Sequence, residues 1–113
     1  MDIKLRKKDP VVIFDIKGEI RRSDISDSTL HEVVKEQLEE DRTNILLNLS
    51  GVEFIDSFGV GEILASFIST QNLGGKLKLM NISEKLYVVF QVTMLTKVLE
   101  IFKDEESALN SFT

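Results

Sequence analysis

The order of apolar patterns along this 113-residue chain predicts an α/β fold, in which a β-sheet is covered by helices. Two observations support this prediction. Short aliphatic runs, of which residues 44–49 are the clearest, have the length and composition of buried strands. Other stretches, such as residues 60–68, repeat apolar residues at helical spacing, so that they line one helix face. Because the two patterns alternate, parallel neighbouring strands should be joined by right-handed crossovers.

The first two strands are predicted at residues 4–6 and 11–16, separated by a turn at Pro10. An aspartate precedes this proline, which favours a turn, and branched or aromatic residues follow it. Ile3 and Leu5 occupy alternate positions of the first strand. That strand should therefore have one buried face and one face in water.

A loop and a helix should follow the second strand. Gly18 permits a bend, and the polar segment 21–27 is predicted to be a loop against which a partner could dock. One of residues 27–29 can cap the helix, and Glu32 can complete a capping box with Thr29. The helix itself is predicted from apolar residues at helical spacing: Leu30, Val33, Val34 and Leu38.

The third strand and second helix surround the most informative segment. The strand is predicted at residues 44–49, with turn residues at 50–51 beyond it. The helix should begin near Ser57 and end at the glycine pair 74–75, which can supply a left-handed residue. Its buried face should comprise Val60, Ile63, Leu64, Phe67 and Ile68.

Four further elements complete the prediction. A strand is expected at residues 76–81, a short helix after Ser83, a strand at 98–101 and a terminal helix after Asp104. The two helices should bury Leu86, Val89, Phe90, Ala108, Leu109 and Phe112.

Composition narrows the possible functions. The length suits a single domain, residues 1–113, that folds without disulfides or a structural metal. The absence of cysteine excludes disulfides and thiol catalysis, and one histidine is too few for a typical structural zinc site. The net charge of -5 argues against a nucleic-acid surface, and the basic cluster Lys4, Arg6, Lys7 and Lys8 is more typical of a strand's solvent face. With no long apolar stretch, we expect a soluble, cytoplasmic protein with no cofactor and no membrane contact.

The residue patterns also disfavour an enzyme. His31 falls within the first helix, and Ile55 stands where a hydrolase elbow needs its first glycine. Segment 74–76 lacks the spacing and hydroxyl of a phosphate loop, and the glycines of 59–61 should instead allow close packing at the helix start. The acidic run 39–41 is typical of a solvated helix end rather than a metal site.

Ser57 lies at a strand-to-helix junction, where two interpretations are open. Its oxygen could accept from backbone N–H groups as an ordinary helix cap, which position alone favours. An anion attached to it would lie near the positive end of the helix dipole, so a phosphate could also be tolerated there.

The segment Asp56-Ser57-Phe58-Gly59-Val60-Gly61 resembles the Asp-Ser-Ser-Gly-Leu-Gly segment of bacterial anti-sigma factor antagonists, the single-domain members of the STAS family. Phe54-Ile55 resembles the apolar approach to it, Gly18-Glu19-Ile20 resembles the family's Gly-Glu-Leu, and Gly74-Gly75-Lys76-Leu77 resembles the turn after its long helix. The resemblance covers most of the chain. It implies a small mixed β-sheet with helices packed mainly on one side.

The resemblance also implies a function. Ser57 would be the residue whose phosphorylation ends partner binding. The partner would be an anti-sigma factor that is usually also an ATP-dependent serine kinase, and its capture would free a sigma factor for transcription. The chain would then be a substrate and not an enzyme, and we expect a monomer or weak dimer. The partner-binding residues implied are Glu19, Arg21, Asp24, Asp56, Phe58, Gly59 and Val60.

Two departures from the family pattern leave an alternative open. Phe58 replaces a common second serine, and Arg21 stands where many members have an aspartate, for which Asp24 could substitute. The alternative is a constitutive interaction module of the same fold, in which Ser57 merely caps its helix. In that case Phe58 and Arg21 would mark a lost switch.

Overall fold

The computed structural model describes residues 1–22 and 28–113, which form a five-stranded mixed β-sheet with helices on both faces. The strands lie side by side in chain order, the first pair antiparallel and all later pairs parallel. This confirms the predicted α/β fold. The strands are β1 (Asp2–Lys8), β2 (Val11–Ile20), β3 (Asn44–Ile55), β4 (Lys76–Met80) and β5 (Ile101–Phe102).

The helices of the described residues divide unequally between the two faces of the sheet. Three of them pack against the same face, in one continuous apolar cluster with alternate residues of β2, β3 and β4. The fourth covers the other face with a smaller cluster. The prediction of helices mainly on one side is confirmed. The helices are α1 (Leu30–Glu39), α2 (Ser57–Asn72), α3 (Glu84–Val92) and α4 (Glu105–Asn110), with a short 3₁₀ turn at Leu95–Lys97.

Strands β2 and β3 are apolar on both sides because helices cover both faces of the sheet. In β2, Val12 and Phe14 point into the larger cluster, whereas Val11 and Ile13 point towards α4. Strands buried on both faces read as continuous apolar runs rather than as alternating ones. This explains why residues 44–49 were recognisable as a strand by composition alone.

A lysine is buried in β4 beneath the end of the chain. The side chain of Lys78 is on the α4 face, and the residue is 5% exposed. Its Nζ donates to the carbonyl oxygen of Ser111 at 2.9 Å and to the Ser111 hydroxyl at 3.0 Å. The rings of Phe102 and Phe112 lie within 5.8 Å and 4.8 Å of the same ammonium. A buried ammonium is tolerated when hydrogen-bond acceptors surround it in this way.

Several predicted helix ends are present. Thr29 and Glu32 form the capping box of α1, and Ser83 and Asp104 cap α3 and α4. Gly74 has the left-handed φ of 76° that ends α2. These ends follow from local chemistry, so the sequence was sufficient to locate them.

Predicted strand boundaries differ from the structure at several places. β1 spans Asp2–Lys8 rather than 4–6, and β2 is Val11–Ile20 rather than 11–16. β3 does not end at 49 but continues to Ile55, because Gly51 and Val52 still pair with β2 across a register shift. The last strand is Ile101–Phe102 rather than 98–101, since Leu99 donates back to Leu95 at the end of the 3₁₀ turn.

The expected buried face of β1 is only partly present. Ile3 packs against the larger cluster, but Leu5 is 42% exposed. The strand lies at the edge of the sheet. Arg6 on its other face is paired with Asp15 at 2.6 Å and with Glu105 at 2.7 Å. Lys4, Lys7 and Lys8 are exposed, as expected for a solvent face.

Candidate functional site

The carboxyl ends of β2 and β3 meet the start of α2 at one edge of the sheet. The two strands are parallel, and Glu19 pairs with Phe54 and Ile20 with Ile55. The chain then turns at Asp56 and enters α2. Residues distant in sequence, 19–22 and 54–60, are thereby brought together at this edge.

Asp56 is the N-cap of α2 and ties the helix start to β2. One of its carboxylate oxygens accepts from the N–H of Gly59 at 2.9 Å, and the other accepts from the N–H of Arg22 at 3.2 Å. The backbone N–H of Asp56 also donates to the Ile20 carbonyl. Desolvation raises the pKa of this carboxyl, but the N–H donors of Gly59 and Arg22 outweigh it, so the pKa lies below its ordinary value. At neutral pH the carboxylate is therefore ionised, and both of its oxygens are occupied by these backbone hydrogen bonds.

Ser57 is the first residue of α2 and is exposed. The interpretation of Ser57 itself as the helix cap is wrong, because the preceding aspartate accepts the capping hydrogen bond. Aspartate and serine are both good caps, and here the aspartate occupies the extended N-cap position. Within the described ranges, nothing hydrogen bonds to the Ser57 hydroxyl. Its hydroxyl therefore has no structural task in this part of the molecule.

Charged and aromatic side chains lie at the same edge of the sheet as Ser57. The guanidinium of Arg22 lies over the Phe58 ring, with its Cζ 5.3 Å from the ring centroid. Arg21 pairs with Glu19, Nε to Oε1, at 3.0 Å. Glu19, Arg21 and Phe58 line a shallow depression beside the start of α1. The surface next to Ser57 thus combines both signs of charge with one half-buried aromatic ring.

Gly59 is buried and contributes close packing rather than a contact surface. A Cβ at this position would collide with the Ile20 carbonyl oxygen and lie 2.9 Å from Cγ2 of Ile55. The expectation of close packing is correct for Gly59 but wrong for Gly61, which is exposed and faces open space. Val60 is half-buried against the larger cluster. As a partner-binding residue, Gly59 could act only by setting the position of α2.

Sequence reasoning did not single out Arg22 or Glu62. Glu62 is on α2, and its Oε1 accepts from the N–H of His31 at 3.0 Å, which joins the start of α1 to α2. His31 lies on α1, within the helix in which it was predicted, is half-buried, and has its Nε2 2.8 Å from the Ser69 hydroxyl. Glu62 lies near Ser57 in sequence, and Arg22 adjoins Arg21. Proximity was the only available signal for either residue.

Some predicted features lie outside what can be compared. Asp24, expected to contact the partner, is outside the described residues. Among the described residues, no group of histidine, aspartate and glutamate side chains could hold a metal ion. No helix of residues 1–22 and 28–113 has the length and apolar character needed to cross a membrane.

Comparison with known proteins gives a family match and several relatives of similar length. The family model of the STAS domain matches residues 2–108. The anti-sigma-B factor antagonist of Bacillus subtilis (strain 168) is 29% identical over 109 residues, covering 96% of this chain and 95% of that protein. The anti-sigma-B factor antagonist of Listeria monocytogenes serovar 1/2a is 31% identical over an alignment of 114 residues, covering 97% of this chain and 93% of that protein.

Solved structures share the fold over nearly the whole chain. A crystal structure of an anti-sigma factor antagonist from Mycobacterium paratuberculosis has a TM-score of 0.85 at 18% identity, covering 98% of this chain and 92% of that chain. SpoIIAA, a Bacillus cell fate determinant solved in its phosphorylated form, has a TM-score of 0.75 at 22% identity, covering 99% and 100%. At these identities the likeness is one of fold.

Proposed function

This chain belongs to the STAS domain family, and from that premise we propose that it is an anti-sigma factor antagonist whose binding ends when Ser57 is phosphorylated. The observation that carries the proposal is the exposed hydroxyl at the first residue of α2, next to a cap that another residue provides. Relatives of similar length are named anti-sigma-B factor antagonists. The fold neighbour SpoIIAA has a phosphorylated form, so the fold can carry this modification.

The proposed partner is an anti-sigma factor that is also a serine kinase. Such an enzyme needs an accessible hydroxyl, and Ser57 offers one on a rigid helix rather than on a loop. The chain acts as the substrate of this kinase in the proposed role and performs no chemistry of its own. The role is cytoplasmic and needs no cofactor, since the kinase brings the ATP.

The proposed docking surface surrounds Ser57. Phe58 and half-buried Val60 supply apolar area, while the Glu19–Arg21 pair supplies polar contacts at the rim. Asp56 shapes the surface through its cap and not through a free carboxylate. An interface with an apolar centre and polar rim is the usual arrangement for protein partners.

A phosphate on Ser57 would alter this surface strongly. It adds roughly 1.5 to 2 negative charges and three acceptor oxygens at the middle of the docking area. A partner surface that accepts Phe58 and Val60 would have to desolvate that charge. Charge mismatch across an interface costs several kcal/mol, and each 1.4 kcal/mol is about tenfold in affinity.

The first experiment tests the modification site. The wild type, Ser57→Ala and Ser50→Ala would each be incubated with the cognate kinase and ATP, followed by intact mass measurement. Ser50 is an exposed serine in the middle of β3 and serves as the matched control. We expect one phosphate on the wild type and on Ser50→Ala and none on Ser57→Ala. Phosphate on Ser57→Ala would refute the assignment.

The second experiment tests the switch. Ser57→Asp should bind the anti-sigma factor at least tenfold more weakly than the wild type, as measured by calorimetry. Ser50→Asp adds the same charge elsewhere and should bind like the wild type. Equal binding by Ser57→Asp and the wild type would favour the alternative, a constitutive interaction module.

A further inference from the structure

We infer that Arg22 is the residue that receives the phosphate on Ser57, and that the phosphate draws its guanidinium away from the Phe58 ring. This inference rests on the proposed function, because it concerns the same modification. It assigns a role to a residue outside the recognisable motif, and it gives the switch a second effect besides added charge.

The position of Arg22 follows from two contacts on either side of Ser57. Its backbone N–H donates to the Asp56 carboxylate at 3.2 Å, which fixes the Arg22 backbone beside the residue before Ser57. Its Cζ lies 5.3 Å from the centroid of the Phe58 ring, the residue after Ser57. Arg22 thus contacts the residues immediately before and after Ser57, and on that basis we place its guanidinium within reach of a phosphate there. Arginine suits this task because its planar group can bind phosphate oxygens in pairs.

The other charged groups near Ser57 have assigned tasks. Arg21 pairs with Glu19, and Asp56 is held by two backbone N–H groups. Glu62 accepts from the N–H of His31. In the described part of the chain, the Phe58 ring is the contact found for the Arg22 guanidinium. Arg22 is exposed, and a cation–π contact at an exposed site is weaker than a charge-assisted hydrogen bond to phosphate.

The exchange would change the docking surface in two ways. In the unmodified chain, the Arg22 cation covers Phe58 and leaves positive charge at the helix start. In the phosphorylated chain, the cation would be neutralised and the ring would lose its cover. The partner would then meet a surface of different charge and different shape.

The test needs no kinase, so a failure of this inference can be told apart from a failure of the proposed function. Phosphoserine would be incorporated at position 57 during synthesis, and its second pKa, ordinarily about 6, measured by ³¹P NMR titration. Arg22→Gln should raise this pKa by about 0.5 to 1 relative to the wild-type background, because a neighbouring cation favours the dianion. Arg22→Lys should keep most of the effect, and Arg42→Gln, distant on the chain, should leave the pKa unchanged. The Arg22→Gln difference should shrink in 1 M salt.

Two outcomes would overturn the inference. The first is an equal phosphoserine pKa in the wild-type and Arg22→Gln backgrounds. The second is a larger rise for Arg21→Gln than for Arg22→Gln, which would make Arg21 the receiving cation. Either result leaves phosphate-dependent release of the anti-sigma factor intact. Failure of Ser57→Asp to weaken partner binding would instead refute the proposed function and leave the Arg22 assignment standing.

Discussion

The starts of α2 and α4 have the same type of N-cap and differ in the charge of the first turn. Each helix is capped by an aspartate that accepts from the N–H three residues on, Asp56 from Gly59 at 2.9 Å and Asp104 from Ser107 at 2.7 Å. Hydrogen bonds to the capping carboxylate lower the pKa of both aspartates. The first turn of α4 holds two glutamates, whereas the first turn of α2 holds no acidic residue.

The difference in charge at the first helical residue bears directly on the proposed switch. The first residue of α4 is Glu105, which pairs permanently with Arg6 at 2.7 Å and fastens the helix to β1. The first residue of α2 is Ser57, which can acquire negative charge only by modification. We infer that Arg22 would then form an ion pair with phosphorylated Ser57, as Arg6 does with Glu105. The charge of Glu105 is part of the side chain, so its contact with Arg6 does not depend on modification. A phosphate charge on Ser57 would be present only in the modified chain.

The largest effect should come from the close approach that α2 makes and α4 does not. Gly59→Ala would push a methyl group against the Ile20 carbonyl and Ile55, so we expect a loss of about 1–3 kcal/mol in the free energy of unfolding. Gly61→Ala, in open space on the same helix, should instead stabilise by about 0.5–1 kcal/mol. Urea unfolding monitored by circular dichroism measures both. Equal effects would mean that α2 is not held by close packing.

The next effect separates the cap from the residue after it. Asp56→Ala should cost about 0.5–2 kcal/mol of unfolding free energy, because it removes the acceptor for the Gly59 and Arg22 N–H groups. Ser57→Ala should change stability by less than about 0.5 kcal/mol, as an exposed substitution away from the cap does. Chemical denaturation of the two variants is the measurement. A larger loss for Ser57→Ala would restore serine as the cap.

A smaller effect on the free energy of unfolding is expected from the Glu105–Arg6 ion pair at the start of α4. Glu105→Gln should cost about 0.2–1 kcal/mol, the usual value of a partly exposed ion pair. Glu106→Gln on the same turn is exposed and offers the matched control. Thermal unfolding at low and high salt should show the Glu105 loss at low salt only. A loss that is the same at both salt concentrations would contradict an electrostatic role.

The smallest effect concerns acid, and it should be alike at both helix starts. The pKa of Asp56 and of Asp104 is lower in the folded chain than its ordinary value, so each carboxylate contributes stability above the unfolded pKa of about 4. That contribution is lost as the pH falls through the folded pKa. The stability advantage of the wild type over Asp56→Asn, and over Asp104→Asn, should therefore shrink between pH 7 and pH 3. An advantage that grows in acid would reverse the assigned direction.

Much of this fold could be predicted because its signals are local. The apolar steps of α1 and α2, the Thr29–Glu32 box and the left-handed Gly74 each depend on neighbours in sequence. On α2 the exception is Ile68, predicted to be buried but 47% exposed. Segments 18–20 and 56–61 could be expected at one edge because they resemble a known family. That they lie together follows from the parallel pairing of β2 with β3.

The errors arose where tertiary pairing outweighed local chemistry. Ser50 and Gly51 are turn residues, yet β3 continues through them because β2 supplies a partner strand. Asp56 and Ser57 are both capable caps, and composition could not decide between them. Arg22 was missed because its contact with Phe58 joins a strand end to a helix, which no spacing rule detects.

The burial of Lys78 has a consequence for the chain during its synthesis. The ammonium donates its hydrogen bonds to Ser111, which the ribosome adds 33 residues later, and also pairs with the exposed Glu100 carboxylate at 3.5 Å. Until then, the Lys78 ammonium has only part of its set of partners, so its burial in β4 is less favourable. We therefore expect a nascent chain that stops before Ser111 to keep the α4 face of its sheet more hydrated, and the arrival of Ser111 to favour closure of that face.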